Sequence, residues 1–173
     1  MSNWYMITVV GEDRPGIVAG LTEKLFAAGC HLGETSMIRL GGNFTIMMMV
    51  RGQAGQGELD ALLAELAQSM QLRVHVDAIE GGLHRHLEPD VQIAVHGADR
   101  AGIVARVTSV LAEAGLNILE LESDVGGTDE HPIYVMIIDG QALNGMEALE
   151  AAVRPLHDEG IEVSVHPVET LIG

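Results

Sequence analysis

Residues 11–16, Gly-Glu-Asp-Arg-Pro-Gly, place two carboxylates and one guanidinium in six positions bracketed by glycine. No serine, cysteine or threonine accompanies them, so the chemistry on offer is capture rather than bond breaking. A polar turn at the front of a helix offers unpaired N–H groups and a partial positive end, which suit a carboxylate. Gly16 removes the side chain that would keep a ligand off the backbone, and Asp13 can take an ammonium group. A free amino acid carries both charges. The competing reading is that Asp13 caps the helix and Arg14 is solvated.

The phrase recurs 86 positions later as Gly97-Ala98-Asp99-Arg100-Ala101-Gly102. Ile17, Val18, Ala19, Thr22, Leu25, Ala28, Gly29 and Glu34 return as Ile103, Val104, Ala105, Thr108, Leu111, Ala114, Gly115 and Glu120. Such density over one helix and its flanks marks an internal repeat.

Each copy has one element order. In the first, a strand over 4–10 leads to a helix over 15–28, with Pro15 suiting its first turn and Gly29 its end. Strands over 31–40 and 43–51 flank the hairpin signal Gly41-Gly42. A helix marked by Leu59, Leu62, Leu63, Leu66 and Met70 and a strand over 72–78 close the unit. The second copy runs strand 91–96, helix 101–114, strands 116–125 and 132–138 around a longer loop at 126–130, helix 144–159 and strand 161–166. The order βαββαβ, with right-handed crossovers, implies an α+β fold. Each of two ferredoxin-like domains is then a four-stranded antiparallel sheet with both helices on one face. The expected boundaries are 1–79 and 90–173, joined by a linker at 80–89. Strand three, Phe44 to Val50, is apolar on both sides, as is Ile133 to Ile138, so the second sheet face calls for a cover, by the linker, the sister repeat or another chain, and at least a homodimer is expected.

The totals narrow the function classes. Twenty-five acids against nine Lys and Arg give a formal net charge of -16, which opposes direct nucleic-acid binding. A single cysteine and the absence of a long apolar run or secretion signal point to a cytoplasmic protein with no membrane partner. The eight histidines show no metal-binding spacing, and His84 and His86 fall in the linker. Cys30 and His31 are adjacent, so their side chains leave a strand on opposite faces and cannot form a nucleophile–base pair. Cys30 reads as a small buried residue. No metal, cofactor or catalytic residue is expected.

The βαββαβ unit with Asp-Arg-Pro-Gly-Ile between strand one and helix one resembles the ACT domain, a small-molecule-sensing regulatory module. Residues 11–18 with 28–31, and 97–104 with 114–118, carry the resemblance, which covers nearly the whole chain. Two such domains without an attached enzyme are similar in architecture to the glycine cleavage system transcriptional repressor family. The resemblance implies ligand sites between domains, where the turn of one faces the start of strand two of its neighbour. Carried over by position, the site residues are Gly11, Asp13, Arg14, Pro15, Gly16 and Ile17 with His31 in copy one. In copy two they are Asp99, Arg100, Ala101, Gly102 and Ile103 with Asn117. Ala101 replaces the motif's proline and His31 its usual asparagine. The function implied is non-catalytic sensing of a small amino acid, acting through a regulatory protein partner in the transcriptional control of amino acid (glycine) metabolism. An interaction scaffold without ligand is the alternative from another class; an acylphosphatase-like enzyme using Arg14 is a more distant one.

Overall fold

The computed structural model describes residues 3–80, 87–98 and 101–168. The chain divides into two compact units, residues 1–84 and 85–173. Unit 1 runs β1 (Asn3–Glu12), α1 (Ile17–Ala27), β2 (His31–Leu40), β3 (Asn43–Gly52), α2 (Gln56–Ser69) and β4 (Arg73–Ile79). Unit 2 repeats it as β5 (Val91–Ala98), α3 (Ile103–Glu113), β6 (Leu116–Thr128), β7 (His131–Ala142), α4 (Met146–Asp158) and β8 (Ile161–Pro167). The sheets are ordered β2-β3-β1-β4 and β6-β7-β5-β8, with every neighbouring pair antiparallel. The expected α+β architecture is therefore present twice.

Alternation along the central strands decides which face meets the helices. Tyr5, Ile7 and Val9 point into the core of unit 1, where they join Leu21 and Leu25 of α1 and Leu59 and Leu63 of α2. In unit 2, Val91, Ile93 and Val95 do the same with Val107, Leu111, Leu149 and Val153. Each unit thus encloses a core of its own, which the period-two and period-3.6 patterns require.

Several boundaries differ from the sequence reading. Helix α1 starts at Ile17, because Gly16 has φ 90° and cannot be a helical residue. Pro15 therefore lies in the turn before the helix rather than in its first turn. Val18, read as part of the buried stripe, is 43% exposed. The loop expected at 126–130 shrinks to Asp129 and Glu130, since β6 and β7 stay paired out to Thr128↔His131. Helix α2 begins at Gln56, earlier than its first leucine, because Glu58 Oε2 accepts a 2.6 Å hydrogen bond from Gly55 N and closes the helix start. The linker expected at 80–89 and its His84 and His86 fall largely outside the described residues.

The edge strands differ between the units. All ten residues of β2 are exposed, among them Leu32, Met37, Ile38 and Leu40. In β6 the alternate positions Glu120, Glu122 and Asp124 share one face. On the sheet face away from the helices, Met47 is 47% exposed. Its neighbour Met49 is 6% exposed: an added Cβ at Gly33 would lie 3.2 Å from the Trp4 ring and 3.3 Å from Met49 Cβ. No helix among the described residues is long and apolar enough to cross a membrane.

Candidate functional site

The turn after β1 sits where the sheet register brings three elements together. Gly11 faces Phe44 and Glu12 faces Asn43, so the end of β1 lies beside the β2–β3 hairpin. Asp13 N donates to Gly42 O at 3.1 Å, tying the turn to that hairpin. Arg39, four residues before Asn43, reaches back: its Nε lies 2.8 Å from Asp13 Oδ2. Arg14 Nη2 pairs with Glu12 Oε2 at 2.9 Å and donates to Gln71 Oε1 at 3.1 Å. Asp13 thus pairs with a strand arginine and does not cap α1, while Arg14 stays exposed and bonds two partners at the surface.

The helix start itself carries no side-chain cap. Gly16, at φ 90°, turns the chain into α1 through a left-handed conformation that an L side chain resists. Its carbonyl accepts the N–H of Gly20 at 2.9 Å, and a Cβ at Gly16 would meet nothing within 4 Å. Gly102 repeats the arrangement at φ 88°, with Arg106 N donating to its carbonyl at 2.9 Å and the same open space. Among the described residues no side chain caps the positive end of either helix dipole.

The other expected site residues take different roles. Gly11 serves packing, since an added Cβ would come 2.7 Å from Leu72 Cδ2, and its counterpart Gly97, not among the expected site residues, does the same 3.0 Å from Ile103 Cδ1. Ile17 and Ile103 are each 3% exposed and can offer a ligand only backbone. Pro15 and Ala101 are exposed turn residues. Asp99 and Arg100 lie outside the described residues. His31 opens β2 and Asn117 lies one residue into β6. Both are at the far end of their own sheets: His31 faces Arg51, whereas the turn neighbours Phe44. Seven strand steps at about 3.3 Å separate those positions by roughly 23 Å. Within a unit, then, the turn and the strand-two opening do not meet.

The two copies differ around the turn. Arg39 and Val125 are equivalent by register, opposite Phe44 and Tyr134, which in turn face Gly11 and Gly97. Glu12 corresponds to Ala98, and Gln71 (φ 55°) to Gly160 (φ 76°), the left-handed residue closing each second helix. All three side chains that engage Asp13 and Arg14 are thus missing from the second copy's sequence. Sequence reasoning missed them, because a contact between Arg39 and Asp13 follows only from hairpin register.

Elsewhere Cys30 is buried at 7% exposure, and burial pushes its thiol above the ordinary value. Arg106 reaches Glu159 with Nε at 3.1 Å from both carboxylate oxygens and Nη2 at 2.6 Å from Oε1, which raises the guanidinium pKa further. Among the described residues no group of three His, Cys, Asp or Glu is placed to hold a metal.

Comparison with known proteins bears on both units. Family models described as ACT domain match residues 4–78 and residues 91–156. The glycine cleavage system transcriptional repressor of Escherichia coli is 26% identical over 122 residues, covering 70% of this chain and 64% of the repressor's own length. Among solved structures, an unknown protein from Galdieria sulphuraria superposes with a TM-score of 0.76 at 23% identity, covering 98% of this chain and all of that one. A crystal structure designated as a glycine cleavage system transcriptional repressor gives 0.73 at 18% identity, covering 98% of this chain and 99% of that one. At those identities the structural likeness speaks for the fold.

Proposed function

The chain belongs to the ACT-domain family, one domain in each unit, and on that premise we propose that it is a non-catalytic regulator that senses a small amino acid. The observation that supports the reading is the duplicated helix start: Gly16 and Gly102 share one left-handed geometry, neither helix has a side-chain cap among the described residues, and a Cβ at either glycine would meet nothing within 4 Å. A ligand carboxylate takes the free N–H groups there, and Asp13 or Asp99 takes the ammonium. An exposed helix end contributes only about 0.3–1 kcal/mol. The site therefore needs the strand-two opening of another ACT domain, His31 or Asn117, to enclose the ligand.

Bound ligand alters the free energy of domain association, and that coupling is the regulatory output. The likeness to a transcriptional repressor supports a role in controlling amino acid metabolism, with glycine the first ligand to try. A net charge of -16 favours action through a protein partner over direct contact with DNA. The exposed β2 strand, with Leu32, Met37, Ile38 and Leu40, supports a homodimer. The lone reduced Cys30 supports a cytoplasmic location.

Calorimetric titration with glycine, serine and the other common amino acids tests the reading. Saturable heat with one of them, lost in Asp13→Ala combined with Asp99→Ala, is the expected result. No heat with any of them, from a chain that sediments as a dimer, would leave an interaction scaffold in its place.

A further inference from the structure

The end of unit 1 opposite the turn holds a groove of about 580 Å³ lined by Ala28, Gly29, His31, Arg51, Gly52 and Gln53. A second hollow of about 410 Å³ adjoins it at His31 and adds Phe26 and Leu32 to the rim. His31 and Arg51 are directly opposed across the β2–β3 pair, so their side chains leave the sheet on the same face. Arg51 is held in place from below: its guanidinium carbon sits 5.6 Å from the centroid of the Trp4 ring. That cation–π contact orients the planar fork while leaving its N–H donors unspent.

Arg14, Lys24, Arg39 and Arg106 each hold a carboxylate within 3.1 Å. Among the described residues Arg51, Arg73 and Arg154 hold no carboxylate, and of the three Arg51 is the one that lines this groove. An oriented guanidinium with free donors, an imidazole beside it and a groove in front form a receptor for one chemical group. We propose that this groove binds a small oxyanion, a carboxylate or phosphate, through bidentate hydrogen bonds from Arg51 and one from His31. His31 is shared with the proposed amino acid site, but Arg51, Trp4 and Gln53 play no part in that site.

Trp4 is the sole tryptophan, so its emission reports on the groove directly. The full chain is titrated with sodium acetate, sodium glutamate and inorganic phosphate, each against sodium chloride at matched ionic strength. The expected result is a saturable emission change with at least one oxyanion, absent with chloride. The arms that respond separate a carboxylate site from a phosphate site. In Arg51→Gln the affinity falls at least tenfold; in Arg51→Lys, which keeps the charge but not the fork, it falls less. Because Arg51→Gln also changes the surroundings of Trp4, the same variants are titrated calorimetrically. Asp13→Ala leaves the oxyanion affinity unchanged, whereas it abolishes amino acid binding at the turn, so the two sites fail separately. Identical responses to chloride and oxyanion, or an Arg51→Gln chain that binds like the parent, would overturn the assignment.

Discussion

Arg39 Nε lies 2.8 Å from Asp13 Oδ2, so the strand before the hairpin holds the carboxylate that a ligand ammonium would use. The pair is partly exposed and contributes at most about 1 kcal/mol to stability. Its greater effect is on binding, because a fixed guanidinium beside Asp13 repels an incoming cation. In Arg39→Gln the amino acid affinity of the first turn rises about fivefold, equivalent to roughly 1 kcal/mol. Calorimetry reads the affinity and urea unfolding the stability. An unchanged or weaker affinity would remove Asp13 from the ligand site.

Gly16 and Gly102 make a paired test of backbone strain. Their φ values of 90° and 88° resist any side chain, while the surrounding space would admit a methyl group. Gly16→Ala and Gly102→Ala each cost about 1–2 kcal/mol by urea unfolding, through conformation alone. The losses add in the double variant, because the two positions belong to separate cores.

Gln71 is the single non-glycine residue with positive φ among the described residues, at 55°. Unit 2 has Gly160 in the corresponding place. Replacing Gln71 by Gly relieves the left-handed strain and forfeits an exposed hydrogen bond to Arg14. The unfolded chain also gains freedom, which offsets part of the benefit. A net rise of about 0.5–1 kcal/mol in unfolding free energy is expected, with the turn's ligand affinity as the accompanying readout.

Cys30 gives the chain an alkaline dependence with a definite sign. Burial raises its thiol pKa in the folded state above the ordinary 9.0, so folded chains keep a proton that unfolded chains release. The contribution of Cys30 to stability is therefore level below the ordinary thiol range and is lost as the pH climbs through it. Urea midpoints between pH 7 and 10 should drop more steeply for the parent than for Cys30→Ala. Iodoacetamide should label Cys30 slowly in the native chain and rapidly in urea. Fast native labelling would contradict the burial.

The repeat, the element order and the core stripes were legible in the sequence because each depends on local period. Ile7 and Val9 alternate into the core as a half-buried strand must, and Leu59 and Leu63 fall on one helix face. Cys30 was legible as buried because a free cysteine behaves as a small apolar residue. What escaped depends on register or on one dihedral angle. Pro15 belongs to the turn because Gly16 adopts a positive φ, which composition alone does not reveal. Asp13 looked like a helix cap until the hairpin brought Arg39 alongside, a consequence of which residue faces which across β2 and β3. Gly126 and Gly127 looked like a loop, yet they remain in β6, and pairing continues through Gly127↔Pro132. The groove around Arg51 was invisible for a related reason, since Trp4, His31 and Arg51 are far apart in sequence and meet only through strand pairing.

The unlike edge strands differ in the neighbour each would accept. A second chain joining at β2 would cover Leu32, Ile38 and Leu40, which rewards the contact. Two β6 strands brought edge to edge would instead crowd Glu120, Glu122 and Asp124 against their own likeness. The β2 edge of unit 1 thus rewards a companion strand, whereas the β6 edge of unit 2 opposes a copy of itself through like charge.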